Sequence, residues 1–361
     1  MNEFNHIGTN FQGRQIIVNA DDFGADRHRD AGIAAAVAAG AVTSVSVLAN
    51  GPSLDDGLSL LRSWQRRGIS VGLHFNLSEG RPLKRGAALI ANENGAFLGK
   101  AATHNLLMQN ANMEIAAEIE GELEAQIAHL KERGLRIDHL DGHQHVHVFP
   151  AAVTMVARAS ARHTIPRIRV PAEELIGEGP GGSYGPADDG ASGLRNGDNG
   201  PERQAAAGPH APERRGDNGR RERNPMEAGA FGPPSGRITG GIETPAPVLL
   251  REAAMFSRLA ASARPILASV GMRAADHFRG LVLKGRLSLP LLEDTLKNLP
   301  PGVTELMVHP GYAPDRPAPG PFAAFATAER ERELAVLLAP GFRALLKKYR
   351  IEMISHLGAN P

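Results

Sequence analysis

Apolar, strand-like runs alternate with helical segments from Gln15 onward, and that alternation restricts the chain to folds built on a parallel sheet. Buried-strand signals fall at residues 16–18, 42–48, 69–77, 136–141 and 167–170. Helical spacing falls between them at 31–39, 53–67, 113–133 and 150–161. In the third of these helices Ile115, Ile119, Leu123, Ile127 and Leu130 share one face, and Gly134 follows as a C-cap. The pattern resumes with helices expected at 248–270, 289–299, 325–338 and 342–349 and strands at 277–281, 304–309 and 351–355. Seven or eight mostly parallel strands separated by helices predict a distorted (β/α) barrel in the α/β class.

Between residues 177 and 241 the alternation stops. Those 65 residues hold 17 Gly and 8 Pro and few large apolar side chains, too little apolar surface to offset the entropy of ordering them. This segment is expected to be a disordered, low-complexity insertion. It interrupts a single domain spanning 1–361, whose first 14 residues read as a tail. The tail lacks the apolar stretch of a signal peptide. The uncharged run 31–54 is too mixed for a membrane span, because Gly40 divides a helical half from a strand-like half and Asn50-Gly51-Pro52 ends it. A soluble, cytoplasmic protein with no transmembrane segment is expected. The absence of Cys excludes disulfides and thiolate metal sites, and a formal charge of +1 removes the electrostatic case for nucleic acid.

Four segments carry chemistry, and each lies where a strand gives way to a loop, the active-site face of such a barrel. Asn19-Ala20-Asp21-Asp22-Phe23-Gly24 offers two adjacent carboxylates, which on a strand point in different directions; the alternative is a helix N-cap. Val71-Gly72-Leu73-His74-Phe75 buries a His that reads either as a core residue or as a ligand. His139-Leu140-Asp141-Gly142-His143-Gln144-His145-Val146-His147 places four of the chain's 14 His within nine residues. Those His and Asp141 share one parity, but Gly142 and Pro150 suggest that the strand ends early. One ligand is expected there, with the other His in supporting or substrate roles. Glu305-Leu306-Met307-Val308-His309-Pro310-Gly311 ends an apolar strand in a His suited to acid–base work. One Asp and two His from three strand ends would form a mixed N/O site with open positions, as catalytic metals require.

These motifs, together with Val42-Thr43-Ser44 and His309-Pro310-Gly311-Tyr312, resemble in order the YdjC-type carbohydrate deacetylases, a family that includes chitooligosaccharide deacetylases and enzymes acting on hopanoid-linked amino sugars. The resemblance covers residues 15–171 and 247 to the C-terminus; the Gly/Pro-rich insertion is not a usual family feature. It implies a distorted barrel and one divalent cation held by Asp22, His74 and His143. Asp21 takes the general base position, and His309 is the candidate acid. Asp141 is expected to orient His143. Zn2+ is favoured on ligand type, and Mg2+ is known in the family. The implied reaction is hydrolysis of an N-acetyl group from an amino sugar, either an N-acetylglucosamine oligomer or a lipid-linked sugar, with release of acetate.

Other readings stay open at this stage. A metal-dependent phosphoesterase and a non-catalytic sugar-binding barrel are the alternatives. Residues 248–270 carry an apolar stripe with Arg251, Arg258 and Arg264, which reads either as an outer barrel helix or as a helix in peripheral contact with a membrane. A homodimer is a further expectation.

Overall fold

Every strand pair in the sheet is parallel, as the strand–helix alternation requires. The computed structural model describes residues 13–109, 112–174, 245–314, 320–323 and 327–358. The expected insertion and all but the last two residues of the expected tail lie outside them. The described residues belong to one compact unit. Its elements run β1 (Arg14–Phe23), α1 (Arg27–Ala38), β2 (Ser44–Val47), α2 (Leu54–Arg66), β3 (Ser70–Phe75), α3 (Lys100–Met108), α4 (Met113–Glu132), β4 (Leu140–Gly142), α5 (Pro150–Arg162), α6 (Pro247–Ser269), β5 (His277–Arg279), α7 (Leu289–Lys297), β6 (Gly302–Val308), α8 (Ala328–Leu338), α9 (Pro340–Lys348) and β7 (Ile351–Met353).

The strand order is β4-β3-β2-β1-β6-β5, with β7 paired to the first residues of β1. The long β1 is the axis of the sheet. It pairs with β6 from Arg14 to Ala20 and with β2 from Asn19 to Phe23. The expected strand at 167–170 forms only isolated bridges, Leu140 to Ile168 and Arg167 to Arg273. Pro166 and Pro171 bracket that stretch and cannot donate to a ladder. It therefore lies between β4 and the residues before β5 without becoming a full strand. The strand expected at 136–141 likewise shrinks to Leu140–Gly142. The short α3 was not expected, since only Thr103 and Leu107 of its nine residues are buried and they set up no visible period.

Both faces of the sheet are buried, but they differ in kind. Ile16, Val18, Ala20, Val45 and Leu306 are apolar and fully buried. The alternate residues Asn19, Asp21, Ser44, Ser46, His74, Asp141 and Glu305 are polar and equally buried. Gly72 makes room on that polar face, because a Cβ there would sit 2.4 Å from the His139 ring. The stripe Ala253, Phe256, Ala260, Ala263 and Leu267 of α6 is buried against the protein, which favours the outer-helix reading of that segment. No helix among the described residues is long and apolar enough to cross a membrane.

Candidate active site

Asp21, Asp22, His74, His143 and His309 all line one cavity of about 270 Å3, where the carboxyl ends of β1, β3, β4 and β6 meet. The chain builds it from local irregularities. The β1–β2 register shifts between Ala20 and Phe23, and Asp22 takes a left-handed backbone (φ 73°). Asp tolerates that conformation better than most side chains. The shift turns both neighbouring carboxylates toward the cavity, although a regular strand would have sent them to opposite faces. Asp30 fixes the turn, accepting from the Gly24 N–H and the Ser53 hydroxyl, both at 2.6 Å. Asp26 caps α1 by accepting from the N–H groups of His28 and Arg29.

Asp22 lies between two imidazoles. Its Oδ1 is 2.9 Å from His143 Nδ1 and 3.3 Å from His74 Nε2. The other nitrogen of each ring meets a second carboxylate: His74 Nδ1 lies 2.7 Å from Asp141 Oδ1, and His143 Nε2 lies 3.3 Å from Glu79 Oε2. Asp141 thus orients His74 rather than His143. The parallel register sets His74 directly opposite Asp141, and that outweighs nearness in sequence. Asp22, His74 and His143 each offer a ligand atom, all within 4.8 Å of one another. Asp21, His74 and Asp141 form a second such group, but Arg169 already holds both of its carboxylates.

The carboxylates around His74 also suit a cation at that point of the site. Burial opposes charge on His74, yet Asp141 and Asp21, with hydrogen bonds to Asp141 and Asp22, overcome it and raise the ring to about 10. A proton on His74 answers the same excess of carboxylate that a metal ion would answer. Burial would also raise Asp22, but Arg330, His143 and His74 hold it well below the usual carboxylate range.

Asp21 is held differently. Arg169 donates to both of its oxygens at 2.7 Å, and the Asn19 side-chain amide donates to Oδ1 at 2.7 Å. Arg169 is fully buried and also pairs with Asp141 (2.8 Å) and Glu305 (2.6 Å). One guanidinium therefore ties three carboxylates together. His309 Nε2 faces Asp21 Oδ2 at 4.0 Å, and the His309 peptide N–H donates to Glu333. Burial, then Lys284 and Arg330, depress His309 well below the usual histidine value, so it rests as a neutral imidazole.

Of the other His in this motif, His145 also lines the cavity, while His139 and His147 do not. The chain leaves β4 after Gly142 and enters a 3-10 segment, His143–Val148, with Gln144 and His145 left-handed. That break sends His143 to the cavity, packs His145 on Phe256 at 4.6 Å and lets His147 Nε2 donate to the Arg169 carbonyl. His139 lies deeper, 3.1 Å from the Ser46 hydroxyl and stacked on His356. Burial lowers His139 and His147 to about 4, which suits neutral structural rings.

Sequence reasoning missed Glu79 and the cations Arg29, Lys284 and Arg330 at this cavity, and the buried pair Arg169 and Glu305 behind Asp21. A signal existed for two of them: Arg169 and Glu305 are charged residues inside apolar strand-like runs, in the parity of Arg167 and His309.

The sequence model of a family described as YdjC-like protein matches residues 15–348. The chain is similar to a carbohydrate deacetylase of Mus musculus, 32% identical over 94% of this chain and 93% of the relative. A carbohydrate deacetylase of Homo sapiens is 32% identical over 94% of this chain and 89% of its own length. A chitooligosaccharide deacetylase of Escherichia fergusonii is 34% identical over 42% of this chain and 58% of its own length. Among solved structures, an Enterococcus faecalis V583 protein with a proposed role in cellobiose-phosphate cleavage superimposes with a TM-score of 0.59 at 17% identity. The match covers 96% of this chain and 98% of that one, a likeness of fold.

Proposed function

The chain belongs to the YdjC-like family, and from that premise we propose that it is a metal-dependent deacetylase that hydrolyses the N-acetyl group of an amino sugar. The observation that carries this reading is the placement of Asp22, His74 and His143 within ligand distance of one another, beside a second carboxylate, Asp21, clamped by Arg169.

In this reading Asp22, His74 and His143 would hold one divalent cation. Two imidazoles and a carboxylate favour Zn2+ over Mg2+ on ligand type. Such an ion supplies Lewis acidity toward the acetyl carbonyl and lowers the pKa of water. Asp21 Oδ2 accepts the proton of the attacking water. The Arg169 fork keeps that carboxylate from swinging toward the cation site. His309, resting neutral, receives at Nε2 the proton that Asp21 took from the water and delivers it to the departing sugar amine. Acetate and a free amino sugar leave.

N-acetylglucosamine oligomers are the favoured substrate class, in line with the name of the Escherichia fergusonii relative. The buried stripe of α6 favours the outer-helix reading over membrane contact, which supports a soluble oligomer over a lipid-linked sugar. Against a two-metal phosphoesterase stands the engagement of Asp21 and Asp141 by Arg169, which leaves no second open carboxylate set among the described residues.

The test is acetate release from N-acetylglucosamine oligomers by Zn2+-reconstituted protein, with Asp21→Asn beside it. The variant should keep its metal and lose roughly 100-fold or more of turnover. Near-normal turnover in Asp21→Asn removes that residue from the base role. No acetate from wild type with any divalent metal rejects the substrate class.

A further inference from the structure

A second cavity, about 510 Å3, opens at the other end of the sheet. Gln15 and Ile17 near the start of β1, Val303 at the start of β6, the residues before β5 and the segment after β7 wall it. None of the groups used in the reaction above lines it.

Two arginines dominate this space. Arg167 and Arg273 sit opposite one another across a parallel bridge, locked by backbone hydrogen bonds of 3.0 Å from Ile168 to the Arg273 carbonyl and from Arg273 to the Pro166 carbonyl. Neither guanidinium makes a hydrogen bond or ion pair with a described residue. Burial and the neighbouring Arg273 charge lower the Arg167 pKa, the sign of two like charges held together. Asp276 is the acidic residue of the lining, and one of its oxygens is already taken by the Val303 N–H at 2.9 Å. The Gln15 amide is likewise taken, by Glu352 at 2.8 Å. The inner wall is His356, only 3% exposed, stacked on His139 at 4.1 Å between centroids. Its Nε2 is buried and has no hydrogen-bond partner among the described residues.

Two guanidinium forks on one cavity, neither paired with a described residue, call for a ligand rich in acceptors and carrying about two negative charges. We propose that this basal cavity binds a small dianionic oxyanion of the phosphate class, held by Arg167 and Arg273 with His356 behind it. The site is separate from the catalytic cavity but not remote from it in structure. Arg167 and Arg169 belong to the same extended stretch, two residues apart, and Arg169 is the residue that clamps Asp21.

The experiment is calorimetric titration of inorganic phosphate into the full-length, metal-loaded protein, with acetate as the monoanion comparison. The variants are Arg167→Gln, Arg273→Gln and Arg273→Lys, and Asp22→Asn controls for phosphate at the catalytic cavity. Saturable phosphate binding is expected in wild type and in Asp22→Asn, tighter than acetate. Either Gln variant should weaken it by roughly tenfold or more, and Arg273→Lys, which keeps charge but loses the fork, by less. Arg273 is exposed, so Arg273→Gln should melt with wild type and release acetate at the wild-type rate. Absence of saturable binding in wild type overturns the proposal. So does binding that survives both Gln variants, or binding that is lost in Asp22→Asn alone.

Discussion

His74 holds a proton in the place where a metal would need a lone pair. With Asp141 on Nδ1 and Asp22 near Nε2, the ring titrates near 10 in the metal-free protein, so metal binding at Nε2 must displace a proton. The sign follows directly. Below about pH 10 every unit of rising pH makes the displacement tenfold easier, so apparent metal affinity should climb with a slope near one between pH 6 and 8.5. Competition with a chromophoric chelator measures it, and a flat profile would take His74 out of the ligand set. Asp141→Asn separates two effects. It weakens the orientation of the ring, lowering the metal affinity of the deprotonated ring by roughly 10–100-fold. It also lowers the His74 pKa and so flattens the slope over that pH range. At this scale the gathering of Asp21, Asp22, His74, His143 and His309 at one cavity was legible in the sequence. The pairing was not, because Asp141 lies next but one to His143 in the chain and opposite His74 in the sheet.

Carboxylates fasten the loops that surround the site. Glu122 of α4 accepts from the N–H groups of Leu83 and Lys84, and Glu118 from those of Ala88, Leu89 and Ile90. Glu173 does the same for Gly280, Leu281 and Val282, and Glu333 of α8 for Gly285 and His309. A strand that ends under the active site leaves N–H groups with no ladder partner, and these side chains supply the missing acceptors. Helices and strands were readable because their periodicity is local. The fastening was not, because a Glu in a helix reads as solvated surface until the partner, 24 or more residues away, is placed beside it. Glu122, fully buried beside Ile119 and Leu123, is the plainest case. Glu333→Ala should leave the His309 and Gly285 N–H groups unsatisfied, at a cost of about 1–3 kcal/mol for each. A urea unfolding midpoint would show that loss, and acetate release should fall while bound metal stays near wild type, because Glu333 touches His309 and none of the expected ligands. Glu333→Gln keeps one acceptor oxygen and should fall between the two. Wild-type turnover in Glu333→Ala would mean that His309 needs no fixed position.

In the molecule as a whole, an apolar face of the sheet packs on helices while a buried polar face carries the chemistry, and the two faces have different consequences for stability. The alternation of apolar runs predicted the parallel sheet and the strand count. It could not show that the second face is a connected charge network, since Asn19, Ser46, Asp141, Arg169 and Glu305 come from five separate segments. That network holds more carboxylate than Arg169 can balance, and the surplus appears at Glu305. Burial, opposed by Arg169 and reinforced by Asp141, raises its pKa from 4.5 to about 7. The folded state therefore binds this proton more tightly than the unfolded chain does. The stabilisation is fully present below about pH 4.5 and is lost as pH rises through 7. Glu305→Gln imitates the protonated form at every pH and keeps an oxygen to accept from Arg169 Nε. In metal-free protein unfolded by urea at pH 5, 6, 7 and 8, wild type should lose stability relative to the variant as pH rises, by a few kcal/mol at most. Parallel curves for the two proteins would show that Glu305 stays ionised throughout, with Arg169 balancing all three carboxylates.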